Sequence, residues 1–287
     1  MSAINRVISR KNVQIGVLCM VLFATFLACY FPTFKWLNEK YLGQDSYYSH
    51  GYLIPFITLY MIIGKRAELR ESTIISNPWG IFLIVFSLLV HIFGVLGDIH
   101  FISGFSMILY LAGCSLFLLG NDVTRKLAYP LSFLVFMCPI PDAFINVIAL
   151  PMKSYATSLS MQILDVIGIP HIREGFRIHL ATSTYVVGTP CNGMRSLISF
   201  LTLGFLFLYI VQARFWKKIL FLSFIPPLAI VLNGLRITAL LFIAKTYGQE
   251  MASPESILHD GSGLVLFILG FLLLMLVSRM IHEESTD

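Results

Sequence analysis

Long apolar runs are the feature that most restricts how this chain can fold. Eight of them approach the length that a helix needs to cross a bilayer, about 20 residues, and they lie at 13–32, 50–64, 79–97, 103–120, 128–142, 197–212, 219–245 and 261–279. Only 12% of the 287 residues are charged, whereas soluble domains carry about 25%. The mean hydropathy is +0.82. The pattern predicts a single integral-membrane domain over residues 1–287, an all-α bundle of about eight transmembrane helices.

One long stretch interrupts this pattern between the fifth and sixth runs. Residues 143–168 have mixed polarity, which is typical either of an amphipathic surface helix or of a re-entrant pair. Residues 169–187 alternate partly between apolar and polar side chains, which predicts a short β-like hairpin. We therefore expect 143–190 to be extracytoplasmic or interfacial, with the hairpin directly before Cys191.

The basic residues predict the orientation in the membrane. They form short clusters between the apolar runs, and all of these clusters fall on one side if 143–168 makes no net crossing: Arg6, Arg10 and Lys11; Lys65, Arg66 and Arg70; Arg125 and Lys126; Arg214, Lys217 and Lys218; and Arg279. Both termini are then cytoplasmic, while Cys191 and residues 246–259 face outside; Lys153, Arg173 and Arg177 are exceptions on the outer side. The net charge of +5 is explained by topology, so we expect membrane lipids and no nucleic acid as partners.

One of the five cysteines stands apart from the rest. Cys19, Cys29, Cys114 and Cys138 lie in or beside apolar runs, where cysteine behaves as a small hydrophobic residue. Cys191 instead follows a polar segment and begins an apolar run. A helix N-terminus there would stabilise a thiolate through its free N–H groups and its dipole. Arg195, four residues on, would share that helix face or pair locally.

Two distant residues are predicted to lie on the same outer side as this thiol. Arg236 lies late in an apolar span with Asn233 one turn earlier, so it either snorkels to the interface or faces a partner, as a thiolate or oxyanion stabiliser would. His259 lies at the outer end of the last span and is either incidental there or a general acid and base. A thiol, a cation and a base match the requirements of acyl transfer. His50 could support this site or belong to an interfacial aromatic belt.

The sequence contains no recognisable cofactor or metal motif. It has no paired cysteines, no His-Glu-x-x-His segment and no glycine-rich phosphate loop. We expect no cofactor and no metal.

Several ordered segments resemble the exosortase/archaeosortase family of multi-pass membrane cysteine transpeptidases. The segment that begins at Cys191 (Cys-Asn-Gly-Met-Arg-Ser-Leu) is similar to the family's nucleophile motif, with Asn192 where serine is usual. The other similar segments lie in the same order as in the family: Tyr48–Pro55, Tyr129–Pro130 with Met137–Pro141, Gly168–Pro170, Asn233–Arg236, and His259 with Gly261 or Gly263.

The resemblance implies both an activity and a location. Cys191 would be the nucleophile, Arg236 the stabilising arginine and His259 the third catalytic residue, with Arg195, Asn233 and His50 as substrate-binding or supporting residues. The substrates would be exported proteins tethered by a PEP-CTERM-like C-terminal sorting signal, cleaved outside the cell's inner membrane and passed to a lipid or glycan acceptor. A non-enzymatic protein of exopolysaccharide transport or assembly remains the alternative, with Arg236 lining a substrate path.

Overall fold

The computed structural model describes residues 2–43, 46–181, 183–188, 191–253 and 256–283, with side chains from residue 16 onward. The side chains of the first basic cluster, Arg6, Arg10 and Lys11, therefore lie outside the described part. The chain divides into two compact units: Met1–Gly43 with Ser49–Pro139, and Gln44–Tyr48 with Ile140–Asp287. Each unit is described by itself.

The described residues form helices for most of their length. The first unit holds α1 (Ser2–Leu42), α2 (Leu53–Gly64), α3 (Arg66–Arg70), α4 (Trp79–Leu96) and α5 (His100–Phe133). The second unit holds α6 (Asp142–Val166), β1 (His171–Glu174), β2 (Arg177–Leu180), β3 (Thr184–Val186), α7 (Met194–Ile210), α8 (Phe215–Tyr247) and α9 (Ile257–Ile281). Short 3-10 helices cover Ser49–Tyr52, Leu134–Met137 and Gln249–Ala252.

Small residues let the helices of the first unit approach closely. A Cβ on Gly80 of α4 would stand 2.3 Å from the backbone N of Phe117 in α5, and one on Gly113 would stand 3.0 Å from the backbone N of Ile84. Such contacts are typical of helix pairs in membranes, where close van der Waals packing replaces the hydrophobic effect.

Helix α5 is bent sharply at Gly120, and this bend changes the predicted spans. Gly120 has φ +83°, which is not helical. Ser115 Oγ and Thr124 Oγ1 lie 3.0 Å apart, whereas nine residues of straight helix extend over roughly 13 Å. The chain therefore turns back on itself at this glycine. The predicted run 103–120 is the first arm of this helix. The predicted run 128–142 is not a separate helix, because it comprises the end of the second arm, the 3-10 turn at Leu134–Met137 and an extended segment.

The mixed-polarity segment 143–168 folds as one continuous helix, α6, of 25 residues. It packs against α8: a Cβ on Gly234 would stand 3.2 Å from the carbonyl oxygen of Ala156, and the hydroxyls of Thr238 and Ser160 lie 3.0 Å apart. An unbroken helix excludes the re-entrant pair that the sequence allowed.

The segment before Cys191 forms a three-stranded antiparallel sheet of order β1-β2-β3, where the sequence suggested a two-stranded hairpin. Ile178 and Tyr185 are register partners, and both side chains are buried. They join a hydrophobic cluster with Leu164 of α6, Ile237 of α8 and Cys191. The sheet therefore packs against Cys191 in the same cluster as residues of α6 and α8.

Five of the described helices are long and apolar enough to cross a membrane: α1 from Gly16, α4, α5, α8 and α9. Two shorter apolar helical segments lie at Ser49–Gly64 and Met194–Ile210. Both units are mainly helical, as an all-α membrane protein requires, and the small sheet is the one β element in the described part of the chain.

Candidate active site

Cys191 lies at the junction of the sheet and α7, and its side chain is only 1% exposed. It precedes the first residue of α7, Met194, by three positions, so it lies just outside the helix start that the sequence suggested. Asn192 Oδ1 accepts from the Met194 N–H at 2.9 Å and takes up one of the free N–H groups of that helix end. The thiol therefore precedes the helix terminus and lies in the hydrophobic cluster that the sheet forms with α6 and α8.

His259 contacts this thiol. Its Nε2 lies 3.6 Å from Cys191 Sγ, and the imidazole is 2% exposed. The residue belongs to the first turn of α9, where its backbone N–H donates to Ser256 Oγ at 3.1 Å, a normal N-cap arrangement. The two predicted residues, 68 positions apart in the chain, thus form a buried thiol–imidazole pair.

Arg236 reaches the same helix turn from α8. Its Nη2 donates to the carbonyl oxygen of His259 at 3.4 Å. The guanidinium also lies flat against Gly263, where an added Cβ would stand 3.0 Å from Nη2. The arginine is half-buried and points toward the N-terminal end of α9. It therefore does not simply extend away from the protein to reach the membrane interface.

Asn233, one turn before Arg236, holds the backbone of Cys191. Its Nδ2 donates to the carbonyl oxygen of Cys191 at 2.7 Å, and its side chain is buried. The same amide packs on Gly193, where an added Cβ would stand 3.3 Å from Nδ2 and where φ is +81°, a backbone conformation that strains larger residues. The Asn-x-x-Arg spacing therefore presents one side chain to the backbone of Cys191 and the next to His259 from a single face of α8.

Tyr185 is a site residue that sequence reasoning missed. Its hydroxyl lies 3.6 Å from Cys191 Sγ. Burial raises the pKa of this phenol, the neighbouring Cys191 side chain raises it further, and Arg236 opposes the shift. A raised pKa keeps the hydroxyl protonated, so it can donate a hydrogen bond to the sulfur. Its only sequence signal was its position in the alternating segment, where it resembled any inward-facing strand residue.

Arg195 and His50, which were also predicted as site residues, lie in α7 and in the 3-10 helix Ser49–Tyr52. Arg195 is exposed, and its Nε donates to the carbonyl oxygen of Ser46 at 3.0 Å. It anchors the short segment before the first unit's 3-10 helix and does not compete with Arg236 for His259. His50 lies in that 3-10 helix, in the first unit. Tyr47, which directly precedes the Tyr48–Pro55 segment, reaches the cysteine segment, since its hydroxyl accepts from Asn192 Nδ2 at 2.7 Å.

The thiol–imidazole pair opens into a cavity of about 210 Å³. Tyr185, Cys191 and His259 line it together with residues that follow α8, namely Gln249, Ala252 and Ser253. A thiol, an imidazole and a phenol hydroxyl that face one cavity could together attack a bound carbonyl group. Among the described residues, no three His, Cys, Asp or Glu side chains come together as metal ligands.

Helices long enough to span a bilayer and a buried cysteine–histidine pair define a multi-pass membrane protein with a candidate nucleophilic site. The sequence model of the transmembrane exosortase family matches residues 36–276, most of the chain and all of the residues just described. The chain belongs to this family. A search among curated proteins gave no match, and a search among solved structures gave none either.

Proposed function

We propose that this exosortase-family protein is a membrane cysteine peptidase or transpeptidase that acts through Cys191. The observation that carries the proposal is the 3.6 Å contact between Cys191 Sγ and His259 Nε2, buried at the base of a cavity. A cysteine that served only as a small hydrophobic residue would not need an imidazole, a phenol and a nearby guanidinium.

The first half-reaction forms an acyl-enzyme. The Cys191 thiol proton moves to His259 Nε2, and the sulfur attacks the carbonyl carbon of the scissile peptide bond. Arg236 stabilises the negative charge that develops on sulfur and then on the carbonyl oxygen. When the C–N bond breaks, His259 returns its proton to the leaving amine, and the substrate's acyl group remains on Cys191 as a thioester.

The second half-reaction releases the acyl group. An acceptor O–H or N–H group gives its proton to His259 Nε2 and attacks the thioester carbon. The C–S bond breaks, and the sulfur regains the proton. If the acceptor is a lipid or glycan group, the outcome is transpeptidation, whereas water gives simple hydrolysis. The same three residues serve both halves.

The substrate and the side of the membrane rest on separate arguments. Family membership favours exported proteins that carry a PEP-CTERM-like sorting signal, still tethered by a C-terminal helix. The charge distribution favours an inner-membrane location with both termini cytoplasmic and the Cys191 cavity outside. Such a site would meet its substrate after export, when the tail is held beside the protein in the bilayer.

Matched cysteine variants test the assignment. We expect Cys191→Ala to abolish processing of a tail-bearing substrate in cells, without loss of membrane-inserted protein. Cys138→Ala is the matched control, because Cys138 is equally buried and also unbridged; it should keep processing within about threefold of the unmodified protein, in line with a modest packing cost. Processing is measured as the mass shift of the substrate, normalised to the amount of inserted protein.

The alternative function makes the opposite prediction. A transport or assembly protein would tolerate Cys191→Ala and would fail with Arg236→Ala, because only the arginine would line its path. Retained processing in Cys191→Ala would therefore contradict the proposed peptidase.

A further inference from the structure

A second cavity adjoins the nucleophile segment on the side of α6. It has a volume of about 250 Å³, and Asn146, Ala149, Leu150 and Lys153 of α6 line it together with Asn192. Asn192 directly follows Cys191, which lines the first cavity. The two adjacent residues therefore each face a different cavity, so a peptide bound at the thiol has a second pocket within reach.

Lys153 is the unusual member of this lining. It is half-buried, and its Nζ lies 4.2 Å from the ring centroid of Phe176, in the turn between β1 and β2. No carboxylate of the described residues lies within salt-bridge distance of it; the other described lysines with ion pairs, Lys65, Lys126 and Lys217, have Glu or Asp partners. Lysine is almost never fully buried unless an anion pairs with it, and Lys153 is already partly withdrawn from solvent without such a partner.

The ring contact alone does not account for this placement. A cation–π contact contributes about 0.5–2 kcal/mol, and the same Phe176 ring would pack equally well on an apolar residue. An electrostatic interaction links Lys153 to Cys191, which puts the ammonium group within reach of charges at the nucleophile. Lys153 thus lines a cavity together with the residue next to the reacting cysteine, and no Asp or Glu of the described residues forms an ion pair with it.

The remaining lining groups indicate the kind of anion. Asn146 and Asn192 supply amide N–H donors, and Asn192 uses one of its two amide hydrogens on Tyr47. Ala149 and Leu150 form an apolar wall. One positive charge, two amides and a short apolar wall fit a carboxylate on a short aliphatic arm, such as an aspartate or glutamate side chain. A doubly charged phosphate would be left half neutralised.

We propose that the cavity formed by Asn146, Lys153 and Asn192 is a substrate subsite that binds a carboxylate close to the bond attacked by Cys191. This inference rests on the proposed peptidase function, and it names the chemical class of the neighbouring substrate residue. Lys153 acts in it as a specificity residue.

Alkylation of Cys191 tests the subsite without a turnover assay. The full-length protein, with Cys19, Cys29, Cys114 and Cys138 replaced by alanine, is treated with two matched pairs of reagents: iodoacetate and iodoacetamide, and maleimidopropionate and its amide. Each pair differs in one carboxylate, and the second pair places that carboxylate farther from the sulfur. The measured quantity is the acid-to-amide rate ratio at Cys191, obtained by intact mass.

We expect Lys153→Gln to lower this ratio by at least about threefold for one of the two pairs, because one positive charge near the reagent is lost. Lys153→Arg should preserve it. Asn146→Asp, at an exposed position that should not disturb folding, should also lower it by adding a negative charge to the cavity. Lys245→Gln, an exposed lysine at the end of α8, is the matched control and should leave the ratio unchanged.

Two results would overturn the subsite. An unchanged ratio in both Lys153→Gln and Asn146→Asp would show that the cavity does not attract a carboxylate. An equal slowing of the acid and the amide would show that Lys153 acts on the thiol alone. Neither result depends on substrate processing, so a failure of the subsite is distinguishable from a failure of the peptidase, which the Cys191→Ala assay reports.

Discussion

At the scale of single residues, the site depends on groups from three elements that converge on Cys191, two of them on its sulfur. His259 of α9 and Tyr185 of β3 both lie 3.6 Å from Cys191 Sγ. Asn233 of α8 holds the carbonyl oxygen of the same residue at 2.7 Å. The imidazole is suited to accept the thiol proton, and the phenol is suited to donate to the thiolate that remains. His259 is thus placed to remove a proton from the sulfur, and Tyr185 is placed to donate a hydrogen bond to it.

Tyr185→Phe isolates the second of these contributions. A tyrosine is protonated at neutral pH, and because burial raises the pKa of Tyr185, its hydroxyl can donate to still more alkaline pH. Hydrogen bonds to charged groups contribute about 1.5–3 kcal/mol, and this one is long, so we expect iodoacetamide alkylation of Cys191 near neutral pH to slow by about 3- to 10-fold. The variant removes one oxygen atom, so thermal stability in detergent should change little. Alkylation at the unmodified rate would show that the hydroxyl does not serve the thiolate.

The predictability of these residues from sequence was uneven for a physical reason. Cys191, Arg236 and His259 belong to segments whose composition is unusual for their surroundings: a thiol after a polar stretch, a cation within an apolar run and a histidine at a helix start. Tyr185 and Lys153 have no such signal, because a tyrosine in an alternating strand and a lysine in a mixed helix are ordinary. Only the packing of the sheet and α6 brings them to the cysteine segment.

At the scale of elements, the first turns of α9 carry much of the site. His259 faces the thiol from this segment, and Gly263, one turn later, lets the Arg236 guanidinium lie against the helix. Gly261 and Gly263, two residues apart, therefore differ in the space around them. A Cβ on Gly261 would meet nothing within 4 Å, whereas one on Gly263 would meet the guanidinium at 3.0 Å.

This pair of glycines gives a matched test of the arginine. Gly263→Ala should push the guanidinium aside by a few tenths of an ångström and lower substrate processing by about tenfold, since small misplacements of stabilising groups weaken catalysis. Gly261→Ala should process normally, because its side chain meets open space and alanine favours a helix by up to about 1 kcal/mol. Equal activity of the two variants, measured per inserted protein, would argue against a role for the position of Arg236.

Element prediction failed where the chain changes direction within an apolar region. The sequence indicated two runs at 103–120 and 128–142, but it gave no sign that Gly120 would join two arms of one bent helix. It also left 143–168 open between two arrangements, and the observed unbroken α6 depends on contacts with Gly234 and Thr238 of α8. Periodicity describes a single segment, whereas these outcomes depend on partners that are distant in the chain.

At the scale of the whole molecule, composition alone was sufficient for the class of fold. A chain with 57% hydrophobic and 12% charged residues can only bury its apolar surface in lipid, and five described helices have the length and apolarity to do so. The number of crossings is harder to derive from sequence, since α2 and α7 are short and α5 is bent.

The proposed orientation is testable with single cysteines in an otherwise cysteine-free protein. Gln249→Cys, at an exposed position on the rim of the thiol cavity, should react with a membrane-impermeant maleimide in intact spheroplasts. Glu71→Cys, exposed after the basic segment Arg66–Arg70, should react only after lysis, because that cluster is expected on the cytoplasmic side. The reverse pattern would contradict an extracytoplasmic site.

The central claim is that Cys191 carries the substrate covalently. The most direct measurement is intact mass of the purified protein after incubation with a tail-bearing substrate and a mild acid quench, which preserves thioesters. We predict an added mass equal to the substrate's acyl portion, which is located on Cys191, released by hydroxylamine and absent in Cys191→Ala. Substrate cleavage with no such adduct, or an adduct of the same size in Cys191→Ala, would contradict the account.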